Sequence, residues 1–218
     1  EYEVIDHFTY VLATDGDLME GVSSEASSLA GHLKLGKLIV LYDDNRISID
    51  GSTDIAFTED RGARYEAYGW HVVRDVDGHN ADAVSKAIHE AKSVNDKPTM
   101  ICCKTVIGYG APNLCGSHDC HGAALGEDEV AATRENIGWP HAPFDVPYQV
   151  YAGWSAKEKG AKVESDWNAK FDAYKKDHPE LAAEFERRMA GELPANWAAD
   201  ADKFVNAVNE KAETIASR

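Results

Sequence analysis

Asp15 and Asn45 are the two residues whose types and spacing point most directly to chemistry. Asp15 lies in Thr14-Asp15-Gly16, and Asn45 follows 30 residues later in Tyr42-Asp43-Asp44-Asn45. Each half ends an apolar run, residues 8–13 and 38–42, that reads as a buried strand. A carboxylate and a carboxamide at the C-terminal ends of adjacent parallel strands face one crevice. Both are hard oxygen ligands. With a main-chain carbonyl they suit Mg²⁺ or Ca²⁺, and Mg²⁺ completes its shell with phosphate oxygens and water. The pattern therefore predicts a metal-bridged diphosphate site. One Asp with one neutral Asn fits such a site, because two carboxylates beside a diphosphate would over-charge it. Gly16, lacking a side chain, lets backbone N–H groups approach the phosphates. Taken one at a time, an N-cap Asp, a turn Asn and a turn Gly are ordinary. Their pairing at this spacing carries the expectation.

The elements that must position these residues follow from the apolar periodicity. Strands are expected at 8–13, 37–42, 70–76 and 99–105, and helices at 20–34, 59–68 and from 81. Residues 46–53 read as a loop or short hairpin around Gly51. Strands alternating with helices imply an α/β fold, a parallel sheet with helices on both faces. Ligands of such sheets bind beyond the strand C-termini, where Asp15, Asn45 and Lys104 all fall. Segment 108–126 is long, glycine-rich and contains His118 and His121; a loop of that length in a compact domain is usually functional. A helix is expected at 127–137, followed by Pro140, Pro143 and Pro147. From 155 onward the chain reads as a charged helical segment with three apolar stripes. These are Trp167, Phe171 and Tyr174; Leu181, Phe185 and Met189; and Phe204, Val208 and Ile215. The expected division is 1–150 for the sheet domain and 151–218 for a helical extension and the start of a linker.

Composition narrows the partners. A net charge of −16 argues against nucleic acid, whose binding rests on Lys and Arg neutralising phosphates. It also makes a bound diphosphate dependent on a cation, and a metal at Asp15 would reverse the local field. No apolar run approaches a membrane span, and the acidic start at Glu1 lacks the basic region of a signal peptide. The four cysteines do not read as a secreted disulfide framework, so a reducing cytoplasm is expected.

The remaining polar candidates have two readings each. Cys115, His118, Cys120 and His121 are four possible zinc ligands, but adjacent Cys120 and His121 can hardly converge on one tetrahedral ion. Lys104 is either a solvent-facing strand-end lysine or a cation that offsets an anionic ligand. Glu20 and Glu25 are either a solvated acidic face or first-turn acids favoured by the helix dipole.

The surrounding text carries a family resemblance. Asp15 and Asn45 match the thiamine-diphosphate motif, generically Gly-Asp-Gly followed at about this distance by Asn-Asn, with Thr14 and Asp44 in place of the first Gly and first Asn. Asp15-Gly16-Asp17-Leu18-Met19-Glu20-Gly21, Lys34-Leu35-Gly36-Lys37-Leu38-Ile39, Arg46-Ile47-Ser48-Ile49-Asp50-Gly51, Tyr65-Glu66-Ala67-Tyr68-Gly69-Trp70-His71-Val72, Cys103-Lys104-Thr105 and His121-Gly122-Ala123 resemble transketolase, in the same order. The resemblance covers essentially the whole chain but only part of a transketolase, the second half of its diphosphate-binding domain. It implies an incomplete thiamine-diphosphate-binding fold and transfer of a two-carbon ketol unit from a ketose phosphate to an aldose phosphate.

By resemblance, Asp15, Asn45 and the Ile47 carbonyl hold Mg²⁺ or Ca²⁺. Gly16, Lys104 and His121 would hold the diphosphate, and Ile49 would pack on the thiazolium. His121 would assist proton transfer at the substrate, and Arg218 would match a sugar-phosphate arginine. Glu20 and Glu25 would join an acidic network at a homodimer interface. The pyrimidine-binding glutamate and the upstream histidines of the family are absent, so the piece is expected to be inactive alone and to need the missing domains or a complementary subunit. The alternatives are another thiamine-diphosphate enzyme, such as dihydroxyacetone synthase, and a non-catalytic phosphate- or nucleotide-binding α/β module.

Overall fold

The computed structural model describes residues 2–214. The chain forms two compact units, one of residues 7–147 and one of the described residues within 1–6 and 148–218.

The larger unit is built on four parallel strands, β1 (Thr9–Thr14), β2 (Leu38–Asp44), β5 (His71–Asp77) and β6 (Thr99–Lys104), in the order β1-β2-β6-β5. The chain passes from β1 to its neighbour β2, skips one place to β5, then returns to fill the gap with β6. Between β1 and β2 lie α1 (Asp15–Met19) and α2 (Gly21–His32). The ribbon β3 (Ile47–Ser48) and β4 (Gly51–Ser52) follows β2, and α3 (Arg61–Ala67) leads into β5. Helix α4 (Ala81–Ser93) joins β5 to β6, and α5 (Glu127–Asn136) closes the unit.

Alternation along the strands explains why the sheet is covered on both faces. Val40, Tyr42 and Met100 point to one side with Ala30 of α2 and Tyr65 of α3. Ile39, Ile101 and Val76 point to the other with Ala87 and Ala91 of α4. The adjacent Cys102 and Cys103 split between these two clusters, as strand geometry requires. Edge strand β1 is the exception: Tyr10, Val11 and Leu12 remain exposed.

The helix expected at 20–34 is α2, and the short α1 before it was not expected. The structure separates the two at Glu20, whose extended backbone (φ −67°, ψ 135°) ends one and starts the other. Helix α2 ends on Lys34 in the left-handed region (φ 53°), with the Leu35 amide donating to the Ala30 carbonyl at 3.2 Å.

The smaller unit contains α6 (Tyr148–Trp154), α7 (Lys157–Asp177), α8 (Pro179–Met189) and α9 (Trp197–Lys211). Helix α6 begins before the expected helical boundary. Pro179 occupies the first turn of α8, where its missing N–H costs nothing. Phe171 stacks on Trp167 at 5.0 Å and meets Phe185 at 5.4 Å. The Trp167 indole N–H donates to the Val4 carbonyl at 2.9 Å, tying the N-terminal segment to α7. The second and third apolar stripes are largely exposed: Leu181, Met189, Phe204 and Val208 all face water. Ile215 lies outside the described residues. Among the described residues no helix is long and apolar enough to cross a membrane.

Candidate functional site

The C-terminal ends of β1 and β2 are adjacent and in register, with Thr14 opposite Asp43. They open on a cavity of 790 Å³ whose lining includes Gly16, Asn45, Ile47, Ile49, His121 and Gly122. Segments far apart in sequence thus meet at the end of the sheet that strand direction predicts. Glu20 also lines this cavity and is exposed, as is Glu25 on α2.

Asp15 sits behind these residues with a side chain only 1% exposed. One carboxylate oxygen, Oδ1, accepts a short hydrogen bond from the Tyr42 hydroxyl. The other, Oδ2, accepts from the Arg46 amide at 2.9 Å. Each carboxylate oxygen has two lone pairs, so both remain competent to ligate a cation. Burial holds the Asp15 carboxyl above its ordinary value, opposed by the Tyr42 and Arg46 hydrogen bonds. A buried carboxylate of this kind gains from a nearby positive charge.

The turn after β2 shapes the second half. Asn45 Oδ1 accepts from the Ile47 amide at 2.9 Å, an Asx turn that leaves the Ile47 carbonyl outside this hydrogen bond. Between them Arg46 adopts φ 60°. That left-handed conformation costs a non-glycine residue about 1 kcal/mol or more, and here it presents the Arg46 amide to Asp15. Thr14, which stands where the motif has glycine, has φ −114°, a backbone any side chain adopts.

Gly16 is informative because the protein itself does not require it. It lies in α1, and a Cβ there would meet nothing nearer than Thr14 Oγ1 at 3.9 Å. Glycine in a helix costs roughly 1 kcal/mol against alanine. Its bare backbone faces the cavity, so the space is kept for something other than protein. Asp15, Asn45 and a main-chain carbonyl therefore match a hard divalent cation in donor chemistry, and Gly16 and Gly122 leave room beside them for a bulky anion.

His121 reaches the cavity on the long loop. It follows a one-turn 3₁₀ helix (His118–Cys120) that is capped by the Ser117 hydroxyl accepting from the Asp119 amide at 3.1 Å. The loop is tied down by Glu129 of α5. Its carboxylate accepts from the Asn113 amide at 2.8 Å, the Asn113 side chain at 2.7 Å and the Leu114 amide at 3.1 Å. Those bonds, the Asn113 side chain's first, lower the Glu129 carboxyl below its ordinary value. Among the described residues no group of three His, Cys, Asp or Glu side chains is arranged to hold a metal.

Lys104 is placed differently. Its ammonium pairs with Asp75, and it lines a separate polar cavity of 330 Å³ together with Asp44, Arg61 and Arg74. Successive residues at the end of β2 divide between the two spaces: Asp43 lines the larger cavity and Asp44 the smaller. Arg218 lies outside the described residues.

Three polar residues around Asp15 carried no signal as individuals in the sequence. Tyr42 is 1% exposed and its phenol is raised well above the ordinary range, chiefly by burial and by the Asp15 hydrogen bond. Arg61 donates to the Tyr42 hydroxyl at 3.1 Å and to Asp44 at 2.9 Å, and its guanidinium lies 3.9 Å from Asp15. Arg46 contributes only its backbone to Asp15. Tyr42 could have been noticed as a polar tip on an otherwise apolar strand. No local pattern marks Arg61.

Comparison with known proteins gives a consistent family. Residues 1–194 match the family described as transketolase, thiamine diphosphate binding domain. The chain is 57% identical to transketolase 1 of Pasteurella multocida, over all of this chain and 32% of that protein. It is 54% identical to transketolase 1 of Escherichia coli, over all of this chain and 33% of that protein. The chain therefore spans about a third of the length of these curated relatives. Among solved structures, a Pichia stipitis transketolase in complex with sedoheptulose 7-phosphate superposes with a TM-score of 0.83 at 49% identity, over 90% of this chain and 29% of that one. A Leishmania mexicana transketolase gives 0.85 at 42% identity, over 91% and 30%. With its parallel sheet, the family match over residues 1–194 and these relatives, the chain belongs to the transketolase family, within the thiamine diphosphate binding domain.

Proposed function

We propose that this chain supplies the metal and diphosphate ligands of a transketolase that transfers a two-carbon ketol unit between sugar phosphates. The observation that carries this reading is the gathering of Gly16, Asn45, Ile47, Ile49 and His121 around one cavity, with Asp15 buried directly behind it. In this reading Asp15, Asn45 and the Ile47 carbonyl ligate Mg²⁺ or Ca²⁺. Gly16 admits the diphosphate to backbone N–H groups at the start of α1, and Ile49, 73% exposed here, packs on the thiazolium. Bound thiamine diphosphate supplies the carbanion stabilisation that ketol transfer needs. His121 contacts the diphosphate and moves a proton at a substrate oxygen, work suited to imidazole near neutral pH. Lys104, whose ammonium pairs with Asp75 beside the smaller cavity, would offset the diphosphate charge only by leaving that partner. Glu20 and Glu25 face a second subunit of a homodimer, and Arg218, outside the described residues, corresponds to the arginine that binds the sugar phosphate. The partners are sugar phosphates and the remaining transketolase domains, in a cytoplasmic enzyme without nucleic-acid or membrane contacts.

Calorimetry on the 218-residue chain tests this. Thiamine diphosphate should bind only with Mg²⁺ or Ca²⁺ present, and ADP should bind much more weakly. Equal binding of the two would favour a non-catalytic phosphate-binding module. Complementation with the missing domains should restore ketol transfer, and His121→Ala should abolish it.

A further inference from the structure

We propose that Tyr42 and Arg61 are positioning residues for Asp15, a fixed frame that aims its carboxylate at the divalent cation. The inference rests on the reading of Asp15 as a cation ligand and extends it to two residues outside the motif.

The argument begins with the phenol. Tyr42 lies at the end of β2 with its ring in the core, and its hydroxyl is shared by three partners. It donates to Asp15 Oδ1, lies 3.3 Å from Asp44 Oδ1 and accepts from Arg61 Nε at 3.1 Å. A hydroxyl has one proton to give. Because the Arg61 N–H occupies a lone pair of the oxygen, that proton is directed to a carboxylate, and the short contact is with Asp15. Arg61 therefore occupies an acceptor position of the Tyr42 oxygen and, by pairing with Asp44, leaves Asp15 as the carboxylate that takes the phenol proton.

Arg61 is itself held from several sides. Its Nη1 donates to the Glu59 carbonyl at 3.0 Å and the Phe57 carbonyl at 3.4 Å, and its Nη2 donates to Asp44 at 2.9 Å. The guanidinium also lies over the Phe57 ring at 5.1 Å. Its side chain is only 11% exposed. Asp15 Oδ2 is fixed independently by the Arg46 amide. The carboxylate is thus anchored at both oxygens, one by backbone and one through a side-chain relay. Groups that orient a metal ligand without touching the metal typically change affinity by roughly 10–100-fold when removed.

The charges fit the same role. Asp15 and Asp44 are both near the Tyr42 hydroxyl, and Arg61 lies near both carboxylates. Asp44 faces the smaller cavity, so Arg61 pairs with it most closely and stands back from Asp15, at 2.9 Å against 3.9 Å. The pairing leaves Asp15 the carboxylate available to a cation.

The test measures Mn²⁺ binding by electron paramagnetic resonance, with thiamine diphosphate present, in the full chain. Tyr42→Phe should weaken Mn²⁺ binding by roughly 10–100-fold while the melting curve without metal stays close to that of the parent. Arg61→Lys, which keeps the charge but loses the fork, should weaken it less. The double variant should weaken it less than the product of the two, because both act through one hydroxyl. Tyr65→Phe is the control. It removes another buried phenol oxygen of the same core, bonded to Ser27 at 3.1 Å, and should leave Mn²⁺ binding unchanged. Binding within twofold of the parent in Tyr42→Phe overturns the inference and leaves the site reading intact. Equal loss in Tyr65→Phe overturns it as well, by showing a general effect of core damage. Should Tyr42→Phe fail to fold, Arg61→Lys decides, and unchanged binding there refutes the relay. A parent chain that binds no Mn²⁺ removes the site reading and this inference with it.

Discussion

The sheet unit and the helical unit treat large apolar side chains in opposite ways. In the sheet unit Ile39, Tyr42, Met100 and Ile101 are almost wholly excluded from water. In the helical unit Trp154, Met189, Phe204 and Leu181 are mostly exposed, while Phe171 and Ala182 are buried. Parallel strands have two faces to cover, and crossover helices cover both. A helix has one stripe to bury, and α9 places no buried residue anywhere along it. The lesson concerns where precise chemistry can be built. The end of β2 lies between β1 and β6, and Asp15 at the end of edge strand β1 is buried and held by Tyr42 and the Arg46 amide, so Asp15 and Asn45 can be presented in a set geometry. The surface pairs of the helical unit, such as Lys162 with Asp166 at 2.9 Å and four residues apart, contribute little to rigidity.

The largest expected contrast comes from core truncation. Met100→Ala should destabilise the sheet unit by about 2–5 kcal/mol, read from urea denaturation. Phe204→Ala should change the helical unit by no more than about 0.5 kcal/mol, as for exposed positions generally. Equal effects would break the comparison.

Two glycines of the sheet unit sharpen it next. Gly69 ends α3 with φ +87°, so Gly69→Ala should cost about 1–2 kcal/mol through backbone strain alone. Gly16→Ala should cost no stability and could add up to about 1 kcal/mol. The same change should lower thiamine diphosphate affinity about tenfold or more, because the methyl group enters the cavity. Calorimetry and thermal melting on one pair of samples separate the two effects.

Lys34→Gly should raise stability by up to about 1 kcal/mol, since Lys34 holds a left-handed conformation at the end of α2. Thermal melting measures it.

The smallest effect is a pH dependence. The Glu129 carboxyl is lowered from its ordinary value of 4.5 by the Asn113 side chain and the two backbone amides. A lowered acid stabilises the fold fully above its unfolded value and loses that contribution as pH falls through the folded one. The Asn113 and Leu114 amides should therefore keep their exchange protection at neutral pH and lose it in acid. Glu129→Gln should show weakened protection at every pH. Glu184 of α8 is lowered further, to about 2, by Arg187 and Arg188. It is a surface group, so its removal should leave the melting curve of the helical unit unmoved, in contrast to Glu129.

Much of this was legible in the residues. The four strands were readable because a run of apolar residues bounded by glycine, proline or polar residues is a local signal. Asp15, Gly16 and Asn45 were readable because strand direction alone sends them to one end of the sheet. Helix α1 was missed because five residues, Asp15–Met19, are too few to show an apolar period. Periodicity marked the stripes of α8 and α9 but not their exposure, since it reports a face and not what covers it.

What the sequence determined by itself is therefore the four strands and most of the helices between them, the end of the sheet at which Asp15, Gly16 and Asn45 lie, and the oxygen-donor types of Asp15 and Asn45. Only the tertiary structure decided the strand order, the turning of Lys104 toward Asp75 and the second cavity, and the relay from Arg61 through Tyr42 to Asp15. The physical reason is range. Periodicity, caps and turns act over a few residues, whereas a buried ion pair exists only where packing brings distant segments together. Arg61 and Asp44 are 17 residues apart and meet because the first residue of α3 returns to the end of β2.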